Sequence, residues 1–204
     1  SACVLPDGSV LIMGGDTTGP KINDVWRSAD GGHSWTLLGN AAWETRELFG
    51  CVALRDGSVL VMGGNWSRAG YANDVWHSPD GGRTWSQRGT ATWRTRYGLS
   101  AALMPDGRVL VVGGSDGSTR LNDSWTSSDG GVSWQQASST APWDPRTKHA
   151  MAVLPSGVNV VHGGDWSRAG YAGDTWASAD GGRTWAAPSA SMVGPADMTS
   201  SPRS

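Results

Sequence analysis

The apolar positions of this chain fall in short runs separated by turn-forming residues. Val10-Leu11-Ile12-Met13, Val59 to Met62 and Val109 to Val112 each end in a glycine pair, Gly14/Gly15, Gly63/Gly64 and Gly113/Gly114, and Gly163/Gly164 marks a fourth such place. In the second copy, Phe49 to Leu54 meets Asp56-Gly57 and returns through Val59 to Gly64, the apolar, tight-turn, apolar order of a hairpin. Asn73 to Ser78 then predicts a third strand, and Pro79-Asp80-Gly81-Gly82 turns the chain into a fourth beginning near Thr84-Trp85. The apolar runs are far too short to span a bilayer as helices.

This order repeats with a period near 50 residues, about the length of one four-stranded blade. Each glycine pair is followed by a tryptophan, Trp26, Trp76, Trp125 or Trp176, preceded by Asn-Asp-Val in two copies and by close variants in the others. A second tryptophan follows in each copy: Trp35, Trp85, Trp134 and Trp185. The turn before it reads Ser28-x-Asp30-x-Gly32-x-Ser34, Ser78-x-Asp80-x-Gly82-x-Thr84, Ser127-x-Asp129-x-Gly131-x-Ser133 and Ser178-x-Asp180-x-Gly182-x-Thr184.

Gly-Gly, Asn-Asp-Val-Trp, a second Trp and then Arg before the next apolar strand resembles the kelch repeat. The Ser-x-Asp-x-Gly turns resemble the Asp-box of sialidases and other propellers. The resemblance covers essentially the whole chain and implies an all-β propeller of four-stranded antiparallel blades, at about residues 1–45, 46–95, 96–145 and 146–204. Propellers of this type reach about eight blades, so four copies imply part of a larger propeller, within a longer chain or assembly. In such a blade the first and third turns share one face. The loops after each glycine pair share the other face with Trp43-Glu44-Thr45-Arg46, Trp93-Arg94-Thr95-Arg96 and Trp143-Asp144-Pro145-Arg146.

Composition agrees with a turn-rich sheet protein: of 204 residues 30 are Gly and 13 are Trp. Glu44 and Glu47 are the only glutamates, and Lys21 and Lys148 the only lysines, so common helix-surface residues are nearly missing. A net charge of −2 argues against nucleic acid as a partner. Cys3 and Cys51, on first strands of adjacent copies, stand one position out of register and are therefore expected on opposite sheet faces, unpaired.

The candidate chemistry concentrates on the loop face. Arg46, Arg96 and Arg146 could clamp a carboxylate, but the preferred reading has them bonding backbone carbonyls between blades. Asp30, Asp80, Asp129 and Asp180 are read as structural Asp-box residues rather than as ligands for calcium or sugar. The loop Trp66-Ser67-Arg68-Ala69-Gly70-Tyr71 recurs identically as Trp166 to Tyr171, whereas the corresponding loops of the first and third copies differ. Trp66, Arg68, Tyr71, Trp166, Arg168 and Tyr171 are accordingly expected to form two equivalent contact patches suited to sugar stacking or cation–π docking. His33, His77, His149 and His162 show no ligand spacing, so neither a metal nor a cofactor is expected. The functional expectation is a non-catalytic binding or assembly module whose Trp/Arg-rich loop face contacts a protein or glycan, with no membrane insertion. The alternative is a fragment of a carbohydrate-active enzyme resembling sialidases or the kelch-type sialic acid epimerase. Of the two glycosylation sequons, Asn65-Trp66-Ser67 is the one that does not overlap a repeat motif.

Overall fold

The computed structural model describes residues 1–17, 20–66, 70–166 and 170–188, and every regular element among them is a β-strand. The first copy runs β1 (Ala2–Val4), β2 (Val10–Gly15), β3 (Ile22–Ser28) and β4 (Thr36–Asn40), paired antiparallel in that order. After β5 (Arg46–Glu47), the second copy has β6 (Gly50–Ala53), β7 (Val59–Met62), a small hairpin β8 (Asn65–Trp66) and β9 (Gly70–Tyr71), then β10 (Asp74–Ser78) and β11 (Ser86–Thr90). Its sheet order is β6-β7-β10-β11. The third copy repeats this with β12 (Ser100–Leu103), β13 (Val109–Ser115), β14 (Arg120–Ser127) and β15 (Gln135–Ser138). After β16 (Arg146–Thr147) come β17 (Ala150–Val153), β18 (Asn159–His162), the hairpin β19 (Asp165–Trp166) and β20 (Gly170–Tyr171), and β21 (Thr175–Ser178). The fourth sheet orders β17-β18-β21, and an Ala177–Ala186 bridge begins its outer edge.

A β-strand alternates its side chains between faces, and in β7 both faces are buried. Val59 and Val61 enter one core with Leu11, Met13 and Val25 of the first sheet. Leu60 and Met62 enter the next with Val109 and Val111 of the third. Leu110 and Val112 meet Val161 of the fourth sheet in a third core. Each such aliphatic side chain contributes roughly 1.5–3 kcal/mol on full burial, so the interfaces between sheets hold the molecule together. The first strands carry the series: β6 packs on β1 and β12, and β12 on β17. No comparable packing joins β17 to β1 among the described residues, which therefore form an open series of sheets.

The glycine pairs stand where the segment entering the following sheet crosses a second strand. Gly63 has φ +66, and a Cβ there would lie 2.9 Å from the Arg96 carbonyl oxygen and 2.8 Å from Leu99 Cδ2. Only glycine meets both the left-handed backbone and the close approach.

Opposite register does not separate the two cysteines. Cys3 pairs with Leu11 and Cys51 with Val61, so they do project from opposite faces of their own sheets. In stacked sheets, however, the forward face of one and the rear face of the next are the surfaces that meet. Both cysteines enter the core between the first and second sheets, as free thiols.

Candidate functional site

The arginine series is built into the framework. Arg46, Arg96 and Arg146 are 0% exposed. Arg46 Nη1 and Nη2 donate to the two carboxylate oxygens of Asp74 at 2.7 and 2.8 Å, Nη1 also donates to the Gly63 carbonyl, and Nε donates to the Glu44 carbonyl. Arg96 repeats every bond with Asp123, Gly113 and Arg94, and Arg146 with Asp174, Gly163 and Asp144. Each guanidinium also lies over a buried indole, Trp43, Trp93 or Trp143, at 5.2 to 5.6 Å. Asp74, Asp123 and Asp174 accept a further bond from the indole N–H of Trp76, Trp125 or Trp176. Hydrogen bonds from Arg146 hold the Asp174 carboxyl at about 2. The paired donors that would clamp a carboxylate ligand thus hold a carboxylate of the protein itself.

The Ser-x-Asp-x-Gly turns are internally satisfied in the same way. In the first, Ser34 donates its amide and hydroxyl to Asp30, Ser28 donates its hydroxyl to Asp30 and accepts the Gly32 amide, and Trp35 Nε1 donates to the Gly32 carbonyl. Asp80, Asp129 and Asp180 are held by their own Ser and Thr neighbours in the same pattern. The Ser34 hydroxyl and amide bring Asp30 to about 2. Partial desolvation opposes the same effect at Asp129, where the bonds from Ser133 still prevail and the group sits at about 2.

The two identical loops are not placed alike. Tyr71 stacks on Tyr97 at 4.8 Å between ring centroids, and Trp66 lies beneath the Arg46 guanidinium at 5.3 Å. Tyr171 is 88% exposed. The difference follows from the neighbour: the segment entering the third sheet supplies Tyr97, and among the described residues nothing equivalent follows Tyr171. Trp166 pairs through its backbone with Arg146 and Gly170, whereas Arg68 and Arg168 lie outside the described residues. Asn65 Nδ2 donates to Glu47 Oε1 at 3.0 Å, and Lys21 bridges the same oxygen at 3.3 Å, so one of the two glutamates is tied to the loops around it.

Of the histidines, His33 and His162 are exposed and His77 is partly buried. His149 is buried, with neither ring nitrogen hydrogen-bonded, and desolvation, aided by the Arg146 charge, lowers it to about 3. Among the described residues no group of three or more His, Cys, Asp or Glu side chains could hold a metal ion, and no helix could cross a membrane.

The loop face carries a groove of about 360 Å³ between the Thr92–Arg94 segment and strands β14 and β15. Its walls include Trp93, Arg94, Arg120, Asn122, Trp125 and Gln136. The Arg94 side chain is 71% exposed, bound on one side by Asp116 at 3.2 Å. Arg120 donates from Nη2 to Asp165 at 2.9 Å, and its Nε is buried without a partner. Three clefts of similar size lie on the opposite, turn face, where Arg27 pairs with Asp7 and Arg108 with Asp106 much as Arg94 and Arg120 pair with Asp116 and Asp165 in the loop-face groove. In the sequence Arg94 stands out only as part of a repeat segment, and Arg120 and Gln136 do not stand out at all, because a groove made by three separated segments leaves no local motif.

No protein-family model and no curated protein matches this chain. The structure is all-β, with no helix among the described residues and with antiparallel sheets throughout. The site is therefore read from its own chemistry.

Proposed function

We propose that the chain is a non-catalytic binding module, its four sheets being kelch-type, Asp-box-bearing blades of a larger propeller, and that its loop face holds a glycan. The sequential packing of first strands and the consecutive antiparallel order of the strands within each sheet support the propeller reading. The observation that carries the function is the loop-face groove, where Arg94, Arg120 and Gln136 share one wall system with the half-buried indole of Trp125. Sugars offer flat C–H faces and rings of hydroxyls, and side chains combining aromatic surface with planar hydrogen-bonding groups match both. The repeat arginines and Asp-box acids support this division of labour by being consumed within the framework.

The test is retention on a glycan array by the whole chain and by an Arg94→Ala/Gln136→Ala variant, with a Tyr171→Ala variant alongside. These side chains lie outside the buried arginine network, so the fold should survive, as a circular dichroism melt would check. Loss of glycan binding of tenfold or more in the groove variant is expected. Binding by the parent to proteins alone, unchanged in the groove variant, would overturn the assignment.

A further inference from the structure

Cys3 and Cys51 lie on β1 and β6, first strands of consecutive sheets, which pack directly on one another. Their counterparts one interface further on are Val52 and Ala101, which share the core between the second and third sheets. The two thiols therefore occupy a position pair that faces across the interface wherever it recurs, and here both pack into the same core. Neither is bonded to the other in this structure. β1 belongs to the end sheet of the series and among the described first strands packs only on β6, whereas β6 is enclosed between β1 and β12. We propose that Cys3 and Cys51 form a reversible disulfide that clamps the first sheet to the second, with a small-molecule disulfide of the glutathione class as oxidant.

The exchange proceeds in two steps. The Cys3 thiolate attacks one sulfur of glutathione disulfide, forming a Cys3–glutathione bond as the S–S bond breaks and one glutathione thiolate leaves. The Cys51 thiol then loses its proton to solvent and attacks Cys3 Sγ, forming the Cys3–Cys51 bond and expelling the second glutathione thiolate. Two protein thiols are oxidised by two electrons, one glutathione disulfide is reduced to two thiols, and the two thiol protons end on glutathione. Burial and the contact with Cys3 raise the Cys51 thiol well above its ordinary value, which places it second in the sequence and makes the closing step the slower one.

Native full-length chain would be incubated with glutathione disulfide, alkylated, digested without reduction and analysed by mass spectrometry, with thermal melts in parallel. The expected result is a monomer that loses both alkylatable thiols together, yields a linked Cys3–Cys51 peptide, melts about 5 °C higher and reverts with dithiothreitol. Cys51→Ala, which installs the residue found at the equivalent Ala101, should stop at the glutathione adduct on Cys3 without the rise in melting temperature. A persistent glutathione adduct in the parent, a disulfide between two chains, or a Cys3–Cys51 link that forms only in urea would overturn the proposal.

Discussion

At the scale of single residues, the same few side chains set both stability and its dependence on pH. Arg96 is fully buried and holds Asp123 with two parallel bonds, so Arg96→Ala strands a carboxylate and the Gly113 carbonyl. A loss of about 3 kcal/mol is expected from urea unfolding. Arg96→Lys should recover only part of it, since an ammonium lacks the planar fork. A value near zero for the alanine variant would show that the network is dispensable. His149 acts in the opposite sense, as a buried neutral ring. Its folded value of about 3 lies below the ordinary 6.5, so the unfolded chain takes up a proton first and stability falls as the pH drops from 6.5 toward 3. Roughly 2–3 kcal/mol should be lost between pH 6.5 and 4.5, above the range in which Asp30, Asp129 and Asp174 titrate. His149→Phe, the residue type at the equivalent Phe49, should remove most of that slope in melts across the same pH range; an unchanged slope would mean that the ring is already solvated. Both features left a trace in the sequence. The arginines precede their aspartates by 28, 27 and 28 positions, a nearly constant offset that links two separate motifs. His149 falls in a column otherwise filled by Phe49 and Leu99, and only the environment shows that it has no partner.

At the scale of elements, the strands were legible because turn residues punctuate them, whereas the small hairpins on the loop face were not. β8 and β9 have two residues each, too few for alternation to show, and what creates them is pairing of Trp66 with Arg46 in the segment entering the second sheet. The third strands carry another feature absent from the pattern: the ladder to the fourth strand shifts at Val25/Trp26, Val75/Trp76 and Ser124/Trp125. A bulge beside each tryptophan adds local twist, and it needs no residue type that sequence reading could detect. Glycine positions give a graded test of the element boundaries. Gly8 and Gly63 both have positive φ, but a Cβ on Gly8 meets nothing within 4 Å, whereas on Gly63 it would collide with Leu99 and the Arg96 carbonyl. Gly8→Ala should therefore cost about 1 kcal/mol for its backbone alone, and Gly63→Ala clearly more. Chemical denaturation of the two variants checks this. Equal costs would place the constraint in the backbone rather than in the crossing.

At the scale of the molecule, three similar cores joined in series predict how the fold opens. In a stack in which each unit contacts only its neighbours, stability is a sum of unit and interface contributions, and a unit covered on both faces is held more firmly than one covered on a single face. β7 and β13 are buried along their whole length, whereas in β18 burial alternates and ends at exposed His162. On the outward side of the first sheet, Val4 and Ile12 are 63% and 42% exposed. Hydrogen exchange read by mass spectrometry should consequently show the strongest protection in peptides covering β7 and β13, weaker protection in β2, and the weakest in β17, β18 and β21. Arg96→Ala sharpens the test, because it loosens the third sheet next to the interface with the second. In a serial stack the lost protection should centre on the second and third sheets and pass on to the fourth, while the first sheet, held to the second through the core around Cys3 and Cys51, keeps most of its own. Uniform loss across all four sheets would show a single cooperative unit, which requires packing between the outer sheets that the described residues do not show.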